Sequence, residues 1–258
     1  LYRSTDGGTT WKKVGGGLPA GVVGRIAVAI APSRPSRVYA VVETRNTALW
    51  RSDDSGQTWT ELNSGAGVGA RPFYFCALKV DPKNPDRVYK QGYNLTVSED
   101  GGKTFSGTGQ SYHGDTHDLW INPTDTDHLV LATDGGAYIS HDRGTDWRFV
   151  GTLPISQFYH VSADMQRPYN VYGGLQDNGS WVAPSRMAGG IGNRHWKNTG
   201  GGDGFWSFAD PNDNDIVYCE YQGGSVLRFR KSTNETKEIK PFRAKDEPAY
   251  RWNWNSPI

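Results

Sequence analysis

The sequence contains only two cysteines, Cys76 and Cys219, in 258 residues. A disulfide-stabilised fold needs more cysteines at closer spacings, so we predict two free thiols, each buried in an apolar, strand-like segment. The chain also lacks an excess of charge, with 28 basic and 27 acidic side chains and a formal net charge of +1. Because this balance comes without any Lys/Arg-rich run, it excludes a general polyanion-binding surface, and we expect no nucleic-acid partner.

Long apolar runs are missing as well. No stretch approaches the roughly 18 residues that a membrane-spanning helix needs, so we expect no membrane span. The N-terminus carries no signal peptide, but Leu1 lies inside a strand-like segment and the chain stops abruptly at Ile258. We therefore expect a piece of a longer protein whose remainder is one of its partners, and the missing leader says nothing about export.

Glycine and aromatic residues are abundant, with 33 Gly, 10 Trp, 13 Tyr and 9 Phe, which is typical of many short strands joined by tight turns. Four stretches share the pattern Ser-x-Asp-x-Gly-x-Thr-Trp/Phe, which we call the box motif. Its copies begin at Ser4, Ser52, Ser98 and Ser140, and the fourth copy has Asp146 in place of the Thr. Recurrence at one period identifies a repeat protein.

Each residue type of the box motif has a local structural reason. The Asp side chain can accept hydrogen bonds from backbone amides further along the turn, and the Gly can adopt a positive φ. The Trp or Phe can fill apolar space between neighbouring repeats. We therefore predict a structural role, and not a catalytic one, for the four box carboxylates, Asp6, Asp54, Asp100 and Asp142.

A turn rich in Pro, Asn and Asp recurs with the same period, at 31–39, 81–89, 122–130, 164–172 and 210–218. Each repeat is thus predicted to contain a strand, this turn, a second and a third strand, the box hairpin and a fourth strand. The fifth and sixth repeats have no recognisable box, and the fifth carries an insertion from Arg186 to Arg194. The segment 25–31 is apolar on both faces, which predicts a fully buried innermost strand.

The box motif resembles the Asp-box, or bacterial neuraminidase repeat, of sialidases, xyloglucan-specific endoglucanases and sortilin. In those families the box is a hairpin on the outer part of a β-propeller blade. The resemblance implies an all-β fold, a seven-bladed β-propeller of four-stranded antiparallel blades, of which this chain covers about six. The single predicted domain, 1–258, divides into a half blade at 1–20, blades at 21–64, 65–109, 110–154, 155–200 and 201–242, and the start of another at 243–258.

The chain also resembles large exported bacterial proteins described as sortilin-like or glycosyl-hydrolase-like Asp-box proteins. Four segments extend the resemblance: 113–118, 131–140, 173–181 and 252–257. This resemblance implies a secreted or periplasmic location and a glycan or polypeptide ligand. A sialidase does not fit, because that family requires an arginine triad and a Tyr/Glu pair. The nearest arginines here are Arg25, Arg71 and Arg251, and no Arg-Ile-Pro-like motif occurs.

Propellers bind ligands at the mouth of the central channel, where the inner strands begin. When the inner strands are aligned on the recurrent turn, these positions are mostly apolar in the second and third repeats but polar and aromatic in the fourth to sixth. This asymmetry predicts a site over the fourth to sixth repeats. Its candidate substrate-binding residues are His113, His117, Asp118, Tyr159, His160, Trp206, Trp252 and Trp254.

Asp115 and Asp203 occupy equivalent positions two repeats apart, and they are the candidate catalytic residues. A carboxyl pair about 6.5–9.5 Å apart suits inverting glycoside hydrolysis, with one group protonating the leaving oxygen and the other activating water. The alternative is that each Asp caps its strand. We predict no cofactor and no metal, because alternate strand residues lie about 6.6–7 Å apart. If a metal binds, its ligands are His113, Asp115 and His117.

Two functions follow from these features. The first is a carbohydrate-active propeller, either a glycoside hydrolase or a glycan-binding protein. The second is a sortilin-like platform that binds protein or peptide without catalysis. The Asp-box identifies a fold but does not identify an activity, so the sequence leaves open whether the protein is an enzyme.

Overall fold

The computed structural model describes residues 1–153 and 155–258, and its regular structure is almost entirely β. The helices within these residues are α1, Ala66–Gly69, and a 3-10 turn at Asn193–His195. None of the described helices has the length and apolar character to cross a membrane.

The strands form one two-stranded sheet and five four-stranded sheets, counted over the described residues, and all strand pairs are antiparallel. The strands of each sheet follow chain order, so every sheet is a simple meander. The prediction of an all-β fold built from four-stranded antiparallel propeller blades is therefore confirmed.

The chain divides into two compact units, Leu1–Leu153 and Pro154–Ile258, which we describe separately. The first unit contains β1 (Tyr2–Arg3), β2 (Lys12–Lys13), β3 (Ile26–Ile30), β4 (Val38–Val42), β5 (Ala48–Ser52), β6 (Thr60–Asn63), β7 (Leu78–Val80), β8 (Val88–Lys90), β9 (Thr96–Ser98), β10 (Ser106–Gly107), β11 (Thr116–Ile121), β12 (Leu129–Thr133), β13 (Gly136–Ser140) and β14 (Arg148–Phe149). The second unit contains β15 (Phe158–Ala163), β16 (Asn170–Leu175), β17 (Gly179–Pro184), β18 (Lys197–Gly200), β19 (Ser207–Ala209), β20 (Ile216–Tyr221), β21 (Ser225–Arg230) and β22 (Glu235–Glu238).

Each predicted full-blade span contains one four-stranded sheet, and the half blade contains β1 and β2. The predicted insertion of the fifth repeat lies between β17 and β18. A single domain over 1–258 and a seven-bladed ring stay predictions.

The box motif folds into a hairpin that is closed by its own side chains. In the second copy, the Ser52 hydroxyl donates to Asp54 Oδ1 at 2.7 Å and accepts from the Gly56 amide at 2.8 Å. Asp54 accepts from the amide and the hydroxyl of Thr58 at 2.9 and 2.6 Å. The Trp59 indole N–H donates to the Gly56 carbonyl at 2.9 Å. These bonds hold the carboxylate inside its own turn, as a structural role requires.

Most of these bonds recur in the other copies, with two losses. The third copy has Phe105 in place of the Trp and therefore lacks the indole N–H bond. In the fourth copy Asp146 replaces the Thr, so Asp142 accepts from the backbone amide of residue 146 but from no hydroxyl there. The Thr hydroxyl bond is the main reason why the pKa of Asp6 and of Asp54 falls to about 2. The pKa of Asp142 is also lowered, chiefly by the amide of Asp146.

The core of the first unit lies between successive sheets. Tyr39, Leu49, Leu78 and Val88 belong to one buried cluster that joins the sheet of β3–β6 to that of β7–β10.

The prediction of free buried thiols is confirmed for both Cys76 and Cys219.

The prediction that the segment 25–31 is fully buried is wrong for one of its faces. Ala27 and Ala29 pack against the core, but Val28 and Ile30 on the other face are 48% and 58% exposed. The first residues of the chain cover part of this blade, since Leu1 and Leu18 pack against the cluster of Val38, Ala40, Val42 and Trp59, but they do not bury Val28 and Ile30.

Candidate functional site

Close backbone packing in the second unit positions Asp203. The glycine run that contains Asp203 lies against the β16–β17 hairpin. A Cβ on Gly204 would come within 2.4 Å of the Gly179 carbonyl oxygen, and a Cβ on Gly174 would come within 2.1 Å of Gly204. Only glycine permits this approach. The glycines of the run therefore fix the backbone on which the Asp203 carboxyl is presented.

The Asp203 carboxyl is buried, at 6% exposure, and both of its oxygens accept hydrogen bonds. Oδ1 accepts from the Asp177 amide at 2.8 Å, and Oδ2 accepts from Gln222 Nε2 at 2.9 Å. Asp177 has a φ of 57° at the tip of the β16–β17 hairpin, which turns its amide toward Asp203. Burial, aided by the Asp177 carboxyl, raises the pKa of Asp203. A carboxyl that keeps its proton above the usual range is suited to general acid catalysis.

Aromatic side chains gather near the start of β15 in the same unit. The pairing of β15 with β16 shifts register at Tyr159, whose ring is 38% exposed and lies 4.7 Å from that of Phe205. The next residue, His160, is stacked on Trp206 with the ring centroids 4.0 Å apart. His160 Nε2 also lies 3.0 Å from Asn255 Nδ2. The structure thus places three predicted substrate-binding residues in two ring pairs, Tyr159 with Phe205 and His160 with Trp206.

The last two predicted aromatic residues lie beside the β20–β21 turn. Trp252 occupies space that the missing side chain of Gly224 leaves free, and Lys240 Nζ lies 5.0 Å from its ring centroid. The carbonyl of Trp254 accepts from the Gly223 amide at 3.1 Å, and its indole is 64% exposed. The exposed ring of Trp254 is available for stacking against a ligand.

Glu220 is a buried carboxyl that sequence reasoning missed. It is fully buried in β20, and its Oε1 accepts from the Ser256 amide at 3.1 Å. Its Oε2 has no hydrogen-bond partner within the described part of the chain. Burial raises the pKa of Glu220. The available signal was a single charged residue, next to last in an otherwise uncharged strand of six residues. Asp177 and Gln222 were missed too, because both act through turns that have no recognisable motif.

The candidate residues of the first unit surround the start of β11. The pairing of β11 with β12 shifts register at His117, the position that the alignment of repeats equated with Tyr159. A bulge changes the direction of the side chain that it contains. His117 Nε2 pairs with the Asp134 carboxylate. Asp115 has a φ of 55°, its amide donates to the Tyr93 carbonyl, and its carboxylate lies within 4.8 Å of that of Asp134.

The other two candidates of the first unit have local partners. His113 Nδ1 lies 3.1 Å from the Gly114 carbonyl oxygen. Asp118 forms an ion pair with Lys79 at 2.9 Å, and its side chain is 67% exposed. Within the described residues, His113, Asp115 and His117 do not bring their ligand atoms together, so this set does not form a metal site.

No family model matches the chain. It is 30% identical over 186 residues to the oligoxyloglucan-reducing end-specific xyloglucanase of Emericella nidulans, covering 62% of this chain and 22% of that protein. It is 27% identical over 166 residues to the xyloglucanase of Hypocrea jecorina, covering 62% of this chain and 17% of that protein. The chain therefore spans about a fifth of the length of these relatives.

Among solved structures, the chain resembles a GH74 enzyme of Niastella koreensis. The TM-score is 0.46 at 17% identity, with 82% of this chain and 37% of that one covered.

Proposed function

We propose that the chain is part of a glycoside hydrolase that binds and cleaves a xyloglucan-like polysaccharide. Similarity to two xyloglucanases supports the substrate class. The observation that carries the proposal is the buried Asp203, held by two hydrogen bonds and flanked by the Asp177 carboxyl, three residues before the half-buried Trp206. A carboxyl acid next to aromatic stacking surfaces is what cleavage of a sugar chain requires.

In this proposal Asp203 is the general acid. Its raised pKa keeps the proton available for the leaving glycosidic oxygen, and Gln222 and the Asp177 amide fix the orientation of the carboxyl. Asp115 is proposed as the general base that activates water, which predicts inversion at the anomeric carbon. The two carboxyls belong to different units, and their pairing stays a prediction.

The aromatic side chains are proposed as sugar-binding surfaces. A sugar ring presents an apolar C–H face that packs on an aromatic face, while its hydroxyls need polar partners at the edge. Tyr159 and Trp254 expose their rings, and His160 with Asn255 supplies polar edges beside Trp206. His113, His117, Asp118 and Trp252 complete the proposed substrate-binding set.

The box motifs are proposed to be Asp-boxes with a purely structural role, and the protein is proposed to be secreted or periplasmic. A polysaccharide substrate is too large to cross a membrane unaided, so an enzyme that cleaves it must meet it outside the cytoplasm. The sortilin-like polypeptide-binding platform is the alternative function.

A hydrolysis screen tests the proposal. The chain and its Asp203→Asn and Asp115→Asn variants are incubated with xyloglucan, and new reducing ends and the anomer first released are measured. We expect cleavage with inversion, and a loss of roughly a hundredfold or more in rate for either variant. Full activity of both variants would show that Asp203 and Asp115 are not the catalytic carboxyls. Absence of cleavage and of xyloglucan binding by the wild-type chain would favour the polypeptide-binding platform.

A further inference from the structure

An arginine in the first unit is surrounded by aromatic rings. The guanidinium of Arg71 lies 5.7, 5.1, 5.3 and 5.5 Å from the ring centroids of Phe73, Tyr74, Phe75 and Tyr93. We call these five residues the arginine–aromatic cluster. It belongs to the loop before β7 and to the turn after β8. It contains none of the candidate site residues described above but contacts one of them, since the rings of Tyr74 and Phe75 lie 5.5 and 6.0 Å from the imidazole of His117.

The backbone of the loop builds the cluster. Arg71 has a φ of 45°, an uncommon conformation for a residue with a side chain. Its carbonyl accepts from the amides of Tyr74 and Phe75 at 2.9 and 2.8 Å, so the chain folds back over its own guanidinium. Arg25 Nη1 donates to the carbonyls of Phe73 and Tyr74 at 3.1 and 3.3 Å and fixes the loop from outside.

Arg71 makes no side-chain hydrogen bond within the part of the chain that the structure describes. The guanidinium has five N–H donors in a planar fork that matches a carboxylate. Among the described residues, none forms an ion pair or a hydrogen bond with the Arg71 side chain. The aromatic faces orient the cation by cation–π attraction and leave its edge free for an anion.

Three of the four rings are themselves open to solvent. Phe73 is 59% exposed, Tyr74 is 42% exposed and Tyr93 is 47% exposed, whereas Phe75 is buried beneath them. A ligand that fits the cluster must therefore present a carboxylate to Arg71 and an apolar face to the rings at the same time. A uronic acid does both, because its carboxylate is attached directly to a sugar ring. An acidic peptide side chain offers the carboxylate alone, on a flexible stem.

We infer that the arginine–aromatic cluster is a binding site for a uronic acid residue of an acidic polysaccharide, with Arg71 holding the carboxylate and the exposed rings packing on the sugar. This inference rests on the proposed function only in taking the ligand to be a glycan. It adds a charged ligand to a protein whose relatives are named for xyloglucan. The formal net charge of +1 means that such binding depends on this site and not on the charge of the whole chain.

The test compares the binding of polygalacturonate, xyloglucan and polyglutamate to the 258-residue chain and its variants by isothermal titration calorimetry. Arg71→Gln removes the charge, and Arg71→Lys keeps it without the fork. Tyr93→Leu removes a ring that packs on Phe75 from the turn after β8 and changes no residue of the Arg71 turn itself. Arg148→Gln, at an exposed residue of the edge strand β14, is the matched control for the loss of one positive charge.

We expect polygalacturonate binding to weaken at least about tenfold in Arg71→Gln and Tyr93→Leu, with Arg71→Lys in between and Arg148→Gln within about twofold of wild type. Xyloglucan binding should change much less than polygalacturonate binding in all four variants, because the cluster is joined to the proposed site only by the ring contacts of Tyr74 and Phe75 with His117 and by the backbone bond between Tyr93 and Asp115. No wild-type affinity for polygalacturonate, or equal losses in Arg71→Gln and Arg148→Gln, would overturn the inference. If polyglutamate binds as tightly as polygalacturonate and loses its affinity in Arg71→Gln, the inference is also overturned, in favour of a protein ligand. If the wild-type chain binds xyloglucan but not polygalacturonate, this inference alone is rejected. If the wild-type chain binds neither, the proposed function is rejected as well.

Discussion

The imidazole of His160 lies parallel to the indole of Trp206, with the ring centroids 4.0 Å apart and the planes 10° from parallel. Trp206 is half-buried, and the other edge of the imidazole faces the Asn255 amide at 3.0 Å. Packing between the two rings therefore restricts the orientation of the indole before any ligand arrives. A stacking surface that is ordered in advance costs less entropy on binding.

Replacing Trp206 by Ala should weaken the binding of xyloglucan oligosaccharides about tenfold, or roughly 1.4 kcal/mol, because one stacking surface is lost. The matched control is Trp120→Ala in the first unit, since Trp120 is 50% exposed and also lies beside a histidine, His128, at 5.5 Å. Titration calorimetry measures both. Equal losses in the two variants would show that the role assigned to Trp206 is incorrect.

The aromatic residue of the box motif should stabilise the fold only where its side chain is buried. Trp59 and Trp11 occupy the same position in two copies and make the same indole bond to a glycine carbonyl, but they are 7% and 61% exposed. Trp59→Ala should lower the free energy of unfolding by about 3–5 kcal/mol, and Trp11→Ala by less than about 1 kcal/mol. Urea denaturation gives both values, and a similar loss for the two would contradict the packing role.

The Thr of the box motif should control the titration of its Asp. Thr58→Val removes the hydroxyl bond that is the main cause of the low pKa of Asp54, so that pKa should rise from about 2 toward 3.8. Asp6, in an unchanged box, should stay at about 2 in the same sample. Carboxyl-carbon NMR titration measures both residues. An unchanged Asp54 would mean that the hydroxyl bond does not set its pKa.

The box carboxylates also give the fold a sensitivity to acid. The folded-state pKa of Asp6 and Asp54 lies below the ordinary 3.8, so these groups stabilise the protein above that pH. This contribution should be lost as the pH falls from about 4 toward 2. Thermal melting in Thr58→Val should show a smaller loss over this interval than in the wild type.

Glu220 should have the opposite pH dependence. Its folded-state pKa is raised, so the stability associated with its proton is complete below the ordinary pKa of 4.5 and is lost as the pH rises through the folded value. Glu220→Gln keeps the shape without the charge. It should be more stable than the wild type at pH 8 by about 1–3 kcal/mol, with a smaller gain at pH 4. Glu238→Gln, on the exposed strand β22, is the control and should show no such trend. A gain independent of pH would contradict the explanation.

The repeat made the blades predictable because each box motif is closed by residues within eight positions of one another. The bulges at His117 and Tyr159 were not predicted, although the alignment of repeats had placed these residues at equivalent positions. A bulge depends on strand pairing, which the local sequence does not encode.

Contacts between distant segments were the least predictable part of the site. The bond from the Ser256 amide to Glu220, and the packing of Tyr93 on the loop of Arg71, join residues of different turns. The exposed face of β3 was missed for a similar reason, since the pattern of an apolar strand does not show which neighbour covers it.

The central claim is that a glycan binds to the second unit through its aromatic residues. The indole N–H signals of the 10 tryptophans can be followed by NMR during titration with xyloglucan oligosaccharides. Binding at the proposed site should shift Trp206, Trp252 and Trp254, and should leave Trp11, Trp50 and Trp59 of the first unit unchanged. Shifts confined to tryptophans of the first unit, or no shift at saturating oligosaccharide, would contradict the claim.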